Sequence, residues 1–296
     1  MEVKKHFARA VPLAIGVACA GLIGTGSAAN ESVMPSASAP ALKICAAANE
    51  APYSTSKGDG FENRIGEVLA AAMGRKAEFV WSDKPAIYLV RDQLETGNCD
   101  VVMGVDTGDE RLLTTKPYYR APYVFVERSG SPLDITSFDS PDLMKTGKIA
   151  YEPGTPAEVM ITKLDLFNRN FNYIKSLTDY KSPRNQYVRI DPNRMVGDVA
   201  NGTADLAIVF APEVARYVKD TGGKLKMIVV PDDNKRADGE KVPFHFDQSI
   251  GVRKDDAKLL GEIDAALEKA RPKIQAVLKD EGIPLLKPPS AAASKS

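Results

Sequence analysis

Past residue 29, three side chains have the types that redox, metal or acid–base chemistry uses: Cys45, Cys99 and His245. Their spacing removes most of that chemistry. The cysteines lack the Cys-x-x-Cys pattern that depresses a thiol pKa. His245 stands between Phe244 and Phe246, which suits a packed strand position better than a catalytic base. No Ser/His/Asp triad and no metal-spaced His/Asp/Glu set can be assembled around a single histidine. The chain is therefore expected to be no enzyme, with no catalytic residue and neither metal nor cofactor of its own. In an oxidising compartment the two cysteines read as a disulfide, and a redox-active or metal-binding pair is the alternative.

The compartment follows from the first 29 residues. Lys4, Lys5 and Arg9 precede an apolar run over 11–23 that closes on Ser27-Ala28-Ala29, the pattern of a secretory signal peptide. The run is too short to span a bilayer, and no later stretch reaches the ~20 apolar residues a transmembrane helix needs. Export and a periplasmic location are expected, without membrane insertion. Lys and Arg together number 39, as do Asp and Glu, so nothing draws the chain to nucleic acid or anionic lipid. A hydrophobic share of 44% is enough for one large or two medium cores. Residues 30–41 and 287–296 are small, polar and proline-bearing, and read as a disordered linker and tail.

The elements that would position the cysteines form a β-α-β-α-β order. Cys45 opens a strand over 43–48 and Cys99 one over 99–105. Between them lie a Gly-Asp-Gly-Phe turn at 58–61, an amphipathic stretch at 62–73, a short apolar run at 78–81 and a helical pattern at 85–95. If the strand order reverses after the first strand, strands one and three are neighbours within disulfide reach. Open parallel sheets of this kind bind ligands at the carboxyl ends of their strands.

Further strands are expected at 123–128, 148–151, 204–210 and 226–230, with a loop or hinge at 129–132. Thr155, Pro156 and Glu158 read as N-cap, first helical residue and capping box of a helix, which places an anion-friendly group of N–H donors at a strand end. The stretch 165–189, with Phe167, Phe171, Tyr173, Tyr180 and Tyr187, reads as a helix with a long loop or as a partner-facing insertion. The unit helix-Gly-Asp-strand occurs twice, at 94–101 and 194–210, and suggests two similar lobes. A final helix over 257–270 should end or kink at Pro272 before another at 274–280.

These pieces resemble the two-lobed periplasmic solute-binding proteins of the polar amino-acid type. The resemblance rests on Gly60-Phe61-Glu62, Cys99-Asp100-Val101-Val102, Asp109-Glu110-Arg111 with Lys116-Pro117-Tyr118-Tyr119, Gly154-Thr155, Gly202-Thr203-Ala204-Asp205 and Ile250-Gly251-Val252-Arg253. It implies an α/β, type II binding-protein fold, each lobe a mixed, mostly parallel sheet flanked by helices. Lobe 1 would be 42–127 with 234–286, and lobe 2 would be 128–233, with crossovers near 127–130 and 230–233. More narrowly, Ala51-Pro52-Tyr53-Ser54, the 58–65 segment and the 99–105 strand resemble the J-type (MoxJ/XoxJ) family of bacterial methanol-oxidation clusters. Those solute-binding-like proteins are associated with pyrroloquinoline-quinone (PQQ) alcohol dehydrogenases and their cytochromes c.

The resemblance implies a cleft lined by Glu50, Tyr53, Phe61, Asp106, Arg111, Gly154, Thr155 and Phe210. Arg111 would fork onto a ligand carboxylate, or else pair with Asp109 at the surface. Thr155 would donate a further hydrogen bond, or serve only as a helix cap. The acid that holds a ligand ammonium is expected just after 205–209, where Phe210 and Ala211 stand, and Glu50 replaces an aromatic that stacks on the ligand. The implied role is accessory, in maturation or activation of a PQQ-dependent methanol dehydrogenase with its cytochrome c as a further partner. A receptor for a small anionic solute feeding an ABC importer is the alternative.

Overall fold

The computed structural model describes residues 39–178 and 190–287. The expected signal segment, most of the expected 30–41 linker, Tyr180, Tyr187 and all of the expected tail but Lys287 lie outside the described residues. The chain begins with β1 (Leu42–Ala47), buried at every position but Lys43, and a short hairpin, β2 (Asn49–Glu50) and β3 (Ser54–Thr55). Next comes α1 (Phe61–Ala72), which buries Phe61, Ile65 and Leu69. β4 (Ala77–Ser82) pairs in parallel with β1 on one side, and β5 (Val101–Asp106) pairs in parallel on the other.

The helix expected at 85–95 is instead a 3-10 turn at Ala86–Tyr88 and a π-helical turn at Val90–Leu94. Those turns bury Leu89, Val90 and Leu94 against Cys45 and Cys99. A spacing of five between Leu89 and Leu94 matches an i to i+5 turn better than an α-helical one. The cysteines form a disulfide with Cα atoms 5.5 Å apart. Neither opens a strand: Cys45 lies inside β1, in register with Val102, and Cys99 precedes β5.

After β6 (Leu113–Thr114), β7 (Tyr119–Arg128) carries the chain into the second lobe. There follow β8 (Ile149–Tyr151), α2 (Pro156–Lys163), α3 (Phe167–Leu177), α4 (Pro192–Asn201), β9 (Leu206–Phe210), α5 (Ala211–Asp220) and β10 (Leu225–Val229). β11 (His245–Val252) and α6 (Ala257–Asp280) return to the first lobe. The strands form one continuous mixed path, β4-β1-β5-β11-β7-β9-β8. Parallel pairing is confined to β4-β1-β5 and β8-β9, and the strands that connect the lobes are antiparallel, so the parallel share is smaller than expected.

The strand pairing and the two cores show where the chain passes from one core to the other. The first residues of β7 pair with β11, from Tyr119 opposite Gln248 to Pro122 opposite His245, while from Tyr123 onward β7 pairs with β9. Val124, Phe125 and Val126 belong to the second core, as do Val242 and Phe244. Tyr118, Tyr119 and Ala121 belong to the first. The crossovers therefore fall at Pro122–Tyr123 and near His245, because a strand belongs to the core that its side chains fill.

The repeated Gly-Asp unit has a structural cause. Asp100 Oδ2 accepts from Lys43 N at 2.9 Å, at the entry to β1, and Asp205 Oδ2 accepts from Gly147 N at 2.6 Å, just before β8. Each carboxylate satisfies a backbone donor where a neighbouring parallel strand begins. Pro272 does not end the last helix. Ile263, Leu267, Ile274 and Leu278 bury one continuous face on both sides of it, enough apolar burial to exceed the ~3 kcal/mol that an internal proline costs.

A charged clasp joins the lobes directly. Glu281, 4% exposed, accepts from Arg216 of α5 through Nε at 2.7 Å and Nη2 at 2.8 Å. Arg64 of α1 donates to the same carboxylate and, at 3.0 Å, to Asp280. Glu281→Gln is expected to destabilise the protein by about 2 kcal/mol, since both arginines lose a charge-assisted partner; the urea midpoint should fall with an unchanged slope. The disulfide closes a separation of 54 residues. Replacing both cysteines with alanine is expected to cost about 4 kcal/mol in the chain-entropy account, read as a lower melting temperature that reducing agent no longer affects.

Candidate functional site

The hairpin β2-β3, the start of α1, the middle of β7 and the ends of β5, β8 and β9 surround a cavity of about 640 Å³ between the lobes. The strand ends are carboxyl ends for β5, β8 and β9, as the topology of α/β sheets dictates. Glu50, Tyr53, Asp106, Gly154, Thr155 and Phe210 all line it. Phe61 does not. It is fully buried under the wall, with its ring 5.0 Å from that of Tyr53 and 6.5 Å from Tyr119, because the first apolar residue of α1 is drawn into the lobe-1 core. Arg111 does not line the cavity either. It forks onto Asp109, with Nη2 2.6 Å from Oδ2 and Nε 3.0 Å from Oδ1, and its side chain remains half exposed.

The lining also contains residues that the sequence reading passed over: Glu62, Asn63, Tyr123, Glu152, Glu213 and Phe246. Phe210 and Ala211 are followed by an acid that does reach the cavity, Glu213, in the first turn of α5, where an acidic residue suits the helix dipole. Glu152 follows β8 directly, the position from which the strand-end rule could have named it. Tyr123 marks the point where β7 changes neighbours, and its significance depends on a pairing that local sequence does not reveal. Together Glu50, Glu62, Asp106, Glu152 and Glu213 give the cavity five carboxyl groups. Among the described residues no Lys, Arg or His lines it.

Anion-binding features at its edge are already engaged. The first N–H groups of α1, on Phe61 and Glu62, donate at 3.0 Å to the carbonyls of Pro52 and Tyr53. The capping box at α2 is not formed as expected: Thr155 Oγ1 donates to the Glu152 carbonyl at 2.7 Å, and Glu158 accepts from Gly154 N at 2.7 Å. A carboxylate on this chain thus occupies the loop's N–H where a ligand oxygen would otherwise sit. Asn63 ties the hairpin to α1, donating to Ser54 Oγ at 2.9 Å and accepting from Thr55 N at 3.0 Å. Asp106 accepts from Gln248 Nε2 at 2.7 Å.

Glu62 is strongly perturbed. Burial pushes its carboxyl up to about 8; the hydrogen bond from Tyr118 works against this and the charge of Glu50 adds to it. Gly104 leaves the room it needs, since a Cβ there would collide with the Glu62 carboxylate. Burial raises Tyr123 well above its usual range, reinforced by the charges of Glu213, Glu152 and Asp106. Tyr53, on the opposite lobe, is raised by burial and then by Glu213. Acids of both lobes therefore act on the same space.

This architecture, two α/β lobes around a strand-end cavity joined by shared antiparallel strands, is that of a binding protein that holds its ligand between lobes. The family of bacterial extracellular solute-binding proteins, family 3, matches residues 42–276, and the chain belongs to it. Within that family it is of the MoxJ type. It is 52% identical to MoxJ of Methylorubrum extorquens over 260 residues, 88% of this chain and 86% of that protein. To MoxJ of Paracoccus denitrificans it is 43% identical over 264 residues, 89% and 96% of the two chains. The crystal structure of MxaJ from Methlophaga aminisulfidivorans MPT superposes with a TM-score of 0.79 at 52% identity, covering 83% of this chain and all of that one. Family membership makes the protein a binding protein without catalytic function.

The raised Glu62 carboxyl gives a signed pH dependence. An unfolded glutamate loses its proton near pH 4.5, whereas folded Glu62 keeps it to about 8. The folded state binds the extra proton across that window, so stability falls as pH rises through it. Glu62→Gln is expected to flatten this slope and raise stability at pH 9 by up to about 4 kcal/mol, with little change at pH 4, measured by thermal denaturation across that range.

Proposed function

We propose that the protein is a periplasmic accessory component of a methanol-oxidation system that uses its inter-lobe cleft to engage a PQQ-dependent methanol dehydrogenase and aid its maturation or activation, with the dehydrogenase's cytochrome c as a further partner. One observation supports this most strongly. The chain keeps the binding-protein fold and high identity to MoxJ, while the arginine that would take a ligand carboxylate is engaged with Asp109 at the surface. A transport receptor needs its carboxylate fork, and a partner-binding cleft does not. The acidic lining also disfavours the alternative, an ABC-importer receptor for a small anionic solute, because like charges across a low-dielectric cavity repel.

The experiment pairs two measurements on the mature chain. Immobilised protein is expected to capture purified methanol dehydrogenase reversibly, in its apo or its loaded form. A thermal-shift screen against amino acids, small carboxylates and the free quinone is expected to show no rise above about 2 °C, the scale of weak binding. A large rise with a small carboxylate and no capture of the dehydrogenase would restore the transport reading.

A further inference from the structure

We infer that the segment from Asp280 to Leu286 is a strap that sets the angle between the lobes, so that the cleft is held at a preset width instead of forming by closure on its occupant. The inference goes beyond the function proposed above and holds whichever occupant the cleft receives. Two-lobed binding proteins commonly close around a ligand by hinge rotation. A strap from one lobe to the other removes that freedom.

Three observations converge, and the first is how firmly the strap is rooted in lobe 1. α6 buries Ile263, Leu267, Ile274 and Leu278 in the first core, and beyond its end Ile283 is buried in the same core. Between them Gly282 turns the chain out of the helix at φ +80°, the left-handed backbone that closes a helix and that glycine adopts at little cost. Leu286 N then donates to the Arg120 carbonyl at 2.9 Å, just before the point where β7 changes neighbours.

The second is what the strap holds. α5 buries Val214 and Val218 in the second core, yet its Arg216 bonds only to lobe 1. Nε and Nη2 fork onto Glu281 at 2.7 Å and 2.8 Å, and Nη2 also donates to the Asp59 carbonyl at 3.0 Å. Farther along the helix Lys219 donates to the Asp280 carbonyl and pairs with its carboxylate, a cation at the end of α6 where the helix dipole favours one. Glu281 is 4% exposed, so salt screens the fork little.

The third is the packing beneath it. Ala215 of α5 is fully buried in the first core, so one helix carries side chains of both cores. Rotating the lobes apart draws Ala215 out of lobe 1 and stretches the fork. Arg216 lies about 9 Å along α5 from Phe210, the residue that pairs with Tyr123 where β7 changes neighbours. An excursion of roughly 1 Å at Arg216 carries its bonds past hydrogen-bonding distance. Arg64 provides the contrast, because it reaches Glu281 and Asp280 from α1 of the same lobe. Its loss would weaken the cluster and leave the lobes connected.

The test is double electron–electron resonance on the mature chain, with nitroxide labels on Asn168→Cys of lobe 2 and either Glu67→Cys or Glu78→Cys of lobe 1, all at exposed positions. The native cysteines are bonded to each other and take no label. One narrow distance is expected for each pair. Arg216→Gln is expected to add a longer distance to at least one pair, whereas Arg64→Gln is expected to leave both as they were. Near-UV circular dichroism checks that each variant is folded. Arg216→Lys, which keeps the charge without the fork, is expected to give a smaller fraction of the longer distance and takes the place of Arg216→Gln should that variant not fold. Unchanged distances in the folded Arg216 variant overturn the strap. A longer distance in Arg64→Gln equal to that in Arg216→Gln overturns it too, since the cluster then acts through general stability. Two distances already present without any Arg216 substitution overturn the preset width.

Discussion

At Pro122–Tyr123 the backbone of β7 exchanges one neighbour for another, and the two-lobed form depends on that exchange. The strand's first residues are hydrogen-bonded to β11 and its remainder to β9 and β10, so one extended segment serves two cores. Antiparallel pairing makes this possible, because adjacent strands can enter from different lobes without a crossover helix. The return passage is fixed near the same place: Asp232 accepts from the backbone N–H groups of Phe244 and His245, and His245 Nε2 meets the Val230 carbonyl at 2.9 Å. His245 thus serves as a strand-end tie. Tyr123, at the exchange itself, becomes the floor of the cavity.

That strand geometry brings acids from both lobes to one cavity, and Glu62 feels the charge of Glu50 on top of its burial. Burial above all raises the Glu62 carboxyl to about 8, so its wall carries less charge near neutral pH than its composition suggests. The Glu281 clasp stands beside the cavity, with Arg64 and Arg216 one and three residues beyond Glu62-Asn63 and Glu213 on the helices that form the two walls. Separating the lobes would take a buried carboxylate away from one of its two guanidinium partners, a change whose cost is of the order of a folding contribution. The width of the cleft is therefore coupled to this ion pair as well as to the strand hinge.

Much of the fold was legible because its cues are local. Gly97 with Asp100 and Gly202 with Asp205 announced two equivalent units, and the structure shows why: each aspartate holds the entry to a neighbouring strand. The disulfide followed from two cysteines in a parallel unit. What could not be read locally was any outcome decided by tertiary burial. Pro272 lies inside a helix because residues on both sides share one buried face, and the 85–95 segment turns tightly because its apolar residues must cover the disulfide. The cleft divides the same way. Gly154, Thr155, Glu50 and Asp106 sit at strand ends or turns that sequence can place, whereas Glu213, Tyr123 and Phe246 join the site only once the lobes are brought together. Phe61 and Arg111 had suitable residue types in suitable motifs, and were claimed by the core and by Asp109.

Arg111 shows how a binding fold changes its ligand without changing its frame. Asp109, two residues earlier, accepts from both its backbone N–H and its guanidinium, so the turn that would present an arginine to a ligand folds it back on itself. Glu158 does the same to the loop at Gly154, filling with a side-chain oxygen the N–H that a ligand would use. In both places a carboxylate of this chain occupies a donor that the family resemblance assigns to a ligand. These carboxylates satisfy the donors within the scaffold, so neither the Arg111 guanidinium nor the Gly154 N–H is left open to an anion. The two-lobed frame is kept while the donors at Arg111 and Gly154 are satisfied by carboxylates of the same chain.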